Sequence, residues 1–240
     1  MKKIAICIVL GLVFLARSSM AAIGCTLSNP GQDLKALFPE MTDFKDETRE
    51  FPKIDKGKEL YDSLKDRLGG DLDSVYESYD TPYTVYKVFK GKELIGIVHG
   101  VNVPGKGGVI QVFLAMDPTS GEIKNFIFQR IDSPAAKALK SKEFRAQFNG
   151  LTLADFYKHD YYGAADPGSE KDKVAKIKEP DVGADGKPDY IASIRGVRKN
   201  LILLDMFFYE MKFEAYYTRA KEAIAKAKAG KSAEPPPEKK

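Results

Sequence analysis

Residues 83–130 read YTVYKVFKGKELIGIVHGVNVPGKGGVIQVFLAMDPTSGEIKNFIFQR. Within this stretch apolar and polar side chains largely alternate, and a period of two is typical of β-strands. Turn-forming residues, such as Lys90-Gly91-Lys92 and Asp117-Pro118-Thr119-Ser120-Gly121, interrupt the alternation at short intervals. Strands joined by such short turns predict an antiparallel sheet. The predicted strands are 83–89, 93–101, 109–116 and 123–130.

Helical periodicity flanks the predicted sheet on both sides. Residues 57–68 carry apolar side chains at helical spacing and run into Gly69-Gly70, which would end a helix. Ser193 is predicted to be the N-cap of a longer helix that continues to at least Phe213. Shorter helices are predicted at 30–38, 134–148 and 153–157, with a long irregular excursion at 161–189. The fold class expected is α+β, with an antiparallel sheet of at least four strands, N-terminal helices and a long C-terminal helix.

The first residues have the pattern of a cleavable secretory signal. Lys2 and Lys3 precede an uncharged apolar run at 4–16, and Ser19-Met20-Ala21 offers small residues at the cleavage site. The run is shorter than the roughly twenty residues that a transmembrane helix needs. We therefore expect export, with the periplasm as the location, and no transmembrane span.

Cys25 raises the alternative of a lipoprotein. Ala22-Ile23-Gly24-Cys25 loosely resembles a lipobox, but Arg17 interrupts the apolar approach and Ala22 replaces the usual leucine. A plain mature N-terminus is the favoured interpretation, and lipid anchoring at Cys25 stays an alternative. Because Cys7 leaves with the signal, the mature chain could form no intramolecular disulfide.

Length and charge divide the chain into four segments: a signal (1–21), an N-terminal extension (22–56), a central domain (57–213) and a basic helical extension with a disordered tail (214–240). The formal charge of +4 falls to +1 without the three cations of the signal. Residues 219–240 hold seven basic and three acidic residues, a further +4, so the body is about −3. A nucleic-acid partner is not expected, because such proteins concentrate basic charge on the folded domain.

Residues suited to catalysis are few. The only histidines are His99 and His159, and neither belongs to a set spaced like metal ligands. No nucleophile and base are paired in the sequence, so neither catalytic nor metal-binding residues are predicted.

Two segments have the composition of an anion or cofactor site. Glycines at 105, 107 and 108 precede a predicted strand, where they would form either a flexible loop or a backbone that a ligand approaches closely. Ser193, Arg195 and Arg198 stand at a predicted helix start, where free N–H groups favour a phosphate. Cations there oppose the helix dipole, a conflict that a bound anion would relieve, although solvated basic residues are the alternative.

The motifs Gly105-Lys106-Gly107-Gly108, the turn at 117–121 and Asp132-Ser133-Pro134 resemble, in this order, the FMN-binding domain of Rnf- and Nqr-type respiratory complexes and of nitrous-oxide-reductase-regulator-like membrane proteins. The resemblance covers roughly residues 30–213. In that family a Ser-Gly-Ala-Thr motif before the final helix holds FMN through its threonine. Here Ala192-Ser193-Ile194-Arg195 occupies the matching place, so noncovalent FMN is implied rather than covalent attachment.

The resemblance implies a flavin ring near the glycine turn and the proline turn, and a phosphate near the helix start. The implied FMN-binding residues are Gly107, Gly108, Asp132, Ser133, Pro134, Ser193, Arg195 and Arg198. The leading hypothesis is an exported electron-transfer protein that serves redox protein partners in the cell envelope. The alternative is a degenerate FMN-binding-like domain without flavin, which acts as a binding or assembly subunit. The basic tail would either be solvated or contact an anionic membrane surface.

Overall fold

A computed structural model describes residues 24–165 and 169–232. Its centre is a five-stranded antiparallel sheet in which each strand pairs with its neighbour in sequence. The predicted α+β class and the four predicted strands are confirmed, and the predicted signal lies outside the described residues. The strands are β1 (Asp43–Arg49), β2 (Tyr83–Lys90), β3 (Glu93–Gly105), β4 (Gly108–Met116) and β5 (Ile123–Arg130).

Seven helices surround the sheet in the described part of the chain. They are α1 (Pro30–Leu37), α2 (Gly57–Leu68), α3 (Ala136–Leu139), α4 (Lys142–Ala146), α5 (Leu153–Ala165), α6 (Gly183–Phe207) and α7 (Glu214–Ser232). Short 3₁₀ turns lie at Phe51–Lys53, Gly69–Asp71 and Val174–Lys176. None of the helices within the described ranges is both long and apolar enough to cross a membrane.

Strand β1 was not predicted. Its sequence, DFKDETR, lacks an apolar alternation because the strand lies at the edge of the sheet and has no buried side chain. It pairs with β2 from Asp43 opposite Phe89 to Arg49 opposite Tyr83. Charged side chains on an edge strand discourage pairing with other chains. The segment predicted as an N-terminal extension therefore contributes a strand to the central sheet.

The sheet is covered on both faces because side chains alternate along each strand. One face, including Val85, Val101 and Val112, packs in the larger core with residues of α2, α5 and α6. The other face packs against α1 and the segment before it, including Cys25. The Cys25 side chain is buried, and burial raises the pKa of its thiol to about 12. The thiol is thus an apolar core group in this fold.

Helix α6 differs from its predicted extent at both ends. It begins at Gly183, so the prediction that Ser193 is the N-cap is wrong. Pro188 lies in the second turn, where its missing N–H costs the helix a single hydrogen bond. The helix ends at Phe207 rather than Phe213, because Asp205 accepts the backbone N–H of Phe213 and holds the chain in a turn.

Two other helix predictions need correction. The helix predicted at 134–148 is split into α3 and α4, since Ser141 caps α4 by accepting the backbone N–H of Phe144 at 3.2 Å. Helix α5 runs well beyond the predicted end at residue 157 and enters the predicted irregular excursion. The excursion also contains the start of α6, so it is shorter than the sequence suggests.

Candidate functional site

The glycine-rich segment forms a tight hairpin turn between β3 and β4. Gly105 pairs with Gly108, which leaves Lys106 and Gly107 as the turn residues. The Lys106 backbone N–H donates to Asp189 Oδ1 at 2.6 Å, and Lys106 Nζ donates to Asp185 Oδ1 at 2.6 Å. The turn is therefore held by carboxylates of the first turns of α6.

The turn at 132–135 packs against both the glycine turn and the first turns of α6. A Cβ on Gly107 would lie 1.7 Å from the Asp132 carbonyl oxygen, and one on Gly186 would lie 2.6 Å from Ala135 Cβ. Only glycine permits such close contact. Ser133 Oγ accepts the Ala135 backbone N–H at 3.1 Å and so closes its own turn. We call this meeting of residues 105–108, 132–135 and 183–189 the glycine junction.

The structure thus packs Gly107 of the glycine turn against Asp132, the first residue of the turn that also holds Ser133 and Pro134. Ser193 does not present its hydroxyl to this place. Its side chain is buried in the interior of α6, and Oγ donates to the Asp189 carbonyl at 2.7 Å.

Arg195 and Arg198 lie farther along α6 and bind carboxylates of the chain itself. Arg195 Nε donates to Asp71 Oδ1 at 2.6 Å. Arg198 donates from Nη1 to Asp71 Oδ2 at 3.0 Å and from Nη2 to Asp160 Oδ2 at 2.8 Å. Arg198 follows Asp189 by nine positions along the helix, a rise of about 14 Å. The predicted phosphate site is therefore not assembled at one helix start.

At the glycine junction the Lys106 backbone N–H is already bound by the chain itself. Asp189 brings a buried carboxylate to the glycine turn and accepts this N–H with Oδ1, while its other oxygen, Oδ2, is buried without a hydrogen-bond partner. A small cavity near the junction, lined by Val103, Pro104 and Arg195 among others, measures about 50 Å³. Ligand sites of cofactor size occupy roughly 300–1,000 Å³.

A larger cavity lies between the end of α2 and helices α5, α6 and α7. Its volume is about 610 Å³, within the range of small-molecule sites. We call it the donor cavity. Its lining includes Arg67, Gly70, Tyr157, Arg198, Tyr217 and Lys221.

Arg67 is the most buried cation of the donor cavity. Its side chain is 0% exposed and donates from Nη1 to Asp205 Oδ2 at 2.9 Å. The ring of Tyr217 lies 5.4 Å from the Arg67 guanidinium carbon. Burial raises the pKa of Asp205, whereas the hydrogen bond from Arg67 opposes that rise. A charged pair inside the fold is costly to form and more costly to break.

Sequence reasoning passed over Arg67 and Tyr157 as site residues. A signal was present for Arg67, because it follows Leu64 by three residues and so shares the apolar face of α2. A cation on a buried face requires a partner, but no spacing rule identifies Asp205, 138 residues away, as that partner.

A second group of buried polar residues lies where α6 crosses the sheet. Lys199 Nζ donates to Glu77 Oε2 at 2.8 Å, with both side chains nearly inaccessible. His99 Nδ1 lies 2.7 Å from Asn200 Oδ1, and Asn200 Nδ2 donates to the carbonyls of His99 and Val112. Burial lowers the pKa of His99 to about 4, so its imidazole is neutral at pH 7. These contacts fix α6 on β3 and β4.

The other histidine has a structural partner as well. His159 Nδ1 lies 2.6 Å from the buried Asp172 carboxylate. Within the described ranges, no group of three or more His, Cys, Asp or Glu residues is arranged to hold a metal ion.

Two places stand out among the described residues: the glycine junction, where Asp189 Oδ1 binds the Lys106 N–H but Asp189 Oδ2 is buried without a partner, and the donor cavity, which has the volume of a ligand site. Comparison with known proteins adds no assignment, since no family model and no curated protein sequence matches this chain.

Proposed function

We propose that this chain is a flavin-free, FMN-binding-like domain that is exported and acts as a binding or assembly subunit in the cell envelope. The observation that carries the proposal is the bond from the Lys106 backbone N–H to Asp189. Glycine-rich turns bind anions through such N–H groups. Here a carboxylate of the chain itself takes the N–H that a bound cofactor would otherwise use.

The packing of the glycine junction supports the same conclusion. Gly107 and Gly186 have the close approaches that glycine allows, but the atoms they approach belong to Asp132 and Ala135. The first turns of α6 therefore fill the space beside the proline turn. In this proposal the domain binds protein or ligand partners through its surface and contains no flavin as a redox centre.

The test is to purify the mature chain from an exporting host and to record its absorbance spectrum and intact mass. We expect a colourless protein with the mass of the unmodified mature polypeptide, and no saturable change in FMN fluorescence when the protein is titrated into FMN. The same mass also reports the cleavage site and any lipid on Cys25. A yellow protein, or saturable FMN binding, would contradict the proposal.

One observation favours the second candidate, an exported electron-transfer protein with noncovalent FMN. The donor cavity has the volume of a cofactor site and combines cations with two tyrosine rings. Such a cavity suits a ligand with both a phosphate and an aromatic ring. In this candidate Arg198 would bind the phosphate, the protein would tune the cofactor, and redox proteins of the envelope would be the partners.

If FMN binds, two variants would show whether it binds in the donor cavity or at the glycine junction. Arg198→Lys retains the charge but loses the planar fork that matches a phosphate. A binding loss of tenfold or more in this variant, with Arg49→Lys on the edge strand β1 as the matched control, would place FMN in the donor cavity. A loss confined to Gly107→Ala would place it at the glycine junction.

A further inference from the structure

Three side chains that line the donor cavity carry buried polar atoms without a protein partner. They are Arg67 at Nε and Nη2, Tyr157 at its hydroxyl, and Arg198 at Nε. Glu214 Oε1 lies 3.8 Å from Arg67 Nη2, which is too long for a hydrogen bond. Buried polar groups in folded proteins are almost always bonded. Three such groups around one cavity therefore indicate a common occupant.

The chemistry of these atoms specifies the occupant's charge. Arginine N–H groups can only donate hydrogen bonds. Burial raises the pKa of Tyr157, so its hydroxyl keeps its proton at neutral pH. For Arg198, burial opposes the charged form, but the carboxylates of Asp160 and Asp71 raise its pKa overall. The side chains that line the cavity thus carry donors, on charged or protonated groups, that no acceptor of the protein satisfies.

The carboxylates near the cavity are already bound. Asp66 Oδ2 accepts from Tyr217 and from Lys221, each at 2.6 Å. Asp71 and Asp160 accept from Arg198. None of these acids forms a hydrogen bond with Arg67 Nε or Nη2, Tyr157 Oη or Arg198 Nε.

A ligand would have to pass side chains of helix α7 to reach the buried donor atoms. The donor atoms are buried behind the cavity wall, and the Tyr217 ring covers Arg67. Lys221, one turn later, is 59% exposed and holds Asp66 at the surface. Movement of these two α7 side chains would admit a ligand without a change in the sheet.

We propose that the donor cavity binds the oxyanion group, phosphate or carboxylate, of a small molecule through Arg67, Tyr157 and Arg198. Oxyanions present several acceptor oxygens to arginine and form short, charge-assisted hydrogen bonds. This site is separate from the glycine junction, and it stands whether or not the domain binds flavin.

The experiment is isothermal titration calorimetry of the intact mature protein with inorganic phosphate and, separately, with succinate. We expect saturable binding of at least one probe with one site per chain. Tyr157→Phe removes one donor without a change in shape and should weaken binding about 3- to 10-fold. The matched control, Tyr79→Phe, removes a hydroxyl outside the cavity lining and should leave binding unchanged.

Arg198→Lys provides the second variant and should weaken binding at least tenfold, because it loses Nε and the planar fork. Thermal melts of each variant would establish that it is folded before binding is compared. Phosphate alone, succinate alone or both would each support the site and identify the oxyanion it takes. Binding of neither probe, or equal binding by wild type and Tyr157→Phe, would overturn the proposal. The first result would mean that ordered water satisfies the donors.

Failure here is distinguishable from failure of the proposed function. The absorbance spectrum and the FMN titration test whether flavin is present, and neither depends on phosphate or succinate. A colourless protein that binds neither small anion would retain the first proposal and remove the second.

Discussion

The glycine junction and the donor cavity contrast in how the chain treats its own polar groups. At the junction, Asp189 Oδ1 binds the Lys106 N–H and Gly107 is close-packed, and the buried atom left without a partner is an acceptor, Asp189 Oδ2. In the cavity, Arg67, Tyr157 and Arg198 retain donors without protein acceptors. Motif resemblance predicted function at the first place, whereas unsatisfied buried donors indicate it at the second. Composition alone would not separate them, because glycine and arginine suit either role.

The largest loss of stability is expected from Arg67→Met, which disrupts the buried ion pair beside the donor cavity. The substitution removes the cation and leaves Asp205 buried without its partner, so the free energy of unfolding should fall by about 3–5 kcal/mol. Urea denaturation monitored by circular dichroism measures the change. Arg130→Met is the control, since its pair with Asp132 is exposed and should contribute about 0–1 kcal/mol. Equal losses in the two variants would refute a special role for the buried pair.

The second prediction concerns His99, which with Asn200 holds α6 against β3 and β4. Its pKa is about 4 in the folded protein, against 6.5 for the ordinary group. Below pH 6.5 His99 becomes protonated in the unfolded chain but stays neutral in the folded protein. The free energy of unfolding therefore falls as the pH falls from 6.5 toward 4. The full loss from this group is about 3 kcal/mol.

Denaturation at several pH values would measure that loss. His99→Gln cannot take up the proton, so its stability should depend less on pH across this window than that of the wild type. Identical pH slopes in the two proteins would show that His99 is not the titrating group, and that carboxylates account for the acid sensitivity.

The third prediction tests how closely the glycine junction is packed. Gly107→Ala would place a Cβ 1.7 Å from the Asp132 carbonyl oxygen, and the backbone must separate to admit it. Overpacking of this kind costs about 1–3 kcal/mol. Gly163→Ala is the matched control, because its Cβ meets no atom within 4 Å and an exposed helix position favours alanine by about 0.5–1 kcal/mol. A melting temperature unchanged by Gly107→Ala would mean that the junction is open.

The smallest effect is expected from Asp189→Asn. The amide oxygen can still accept the Lys106 N–H, but the bond loses its charge, at a cost of about 1 kcal/mol. Thermal denaturation of the variant beside Asp185→Asn measures the difference, because Asp185 is exposed and its pair with Lys106 should contribute less. A larger loss for Asp185→Asn would reverse the assignment of Asp189 as the internal anion of the junction.

Local patterns in the sequence were sufficient for most of the fold. Strands β2 to β5 and helix α2 followed from the periods of two and 3.6 and from the turns between the strands. Strand β1 did not follow, since an edge strand without buried side chains has no apolar period. The start of α6 was also missed, because Gly186 and Pro188 suggest a loop until the close contact with Ala135 explains the glycine.

The sequence by itself determined the α+β class and the antiparallel sheet, since both depend on short-range periodicity and turn chemistry. The proximity of the glycine turn to the Asp132 turn was implied by the family resemblance and not by any local pattern. Only the tertiary structure decided what the charged residues do. Arg195 and Arg198 bind Asp71, which lies more than 120 residues away in sequence, and Arg67 binds Asp205 at a similar separation. The physical reason is that the partner of a buried charge is set by which surfaces pack together, and no local pattern encodes that choice.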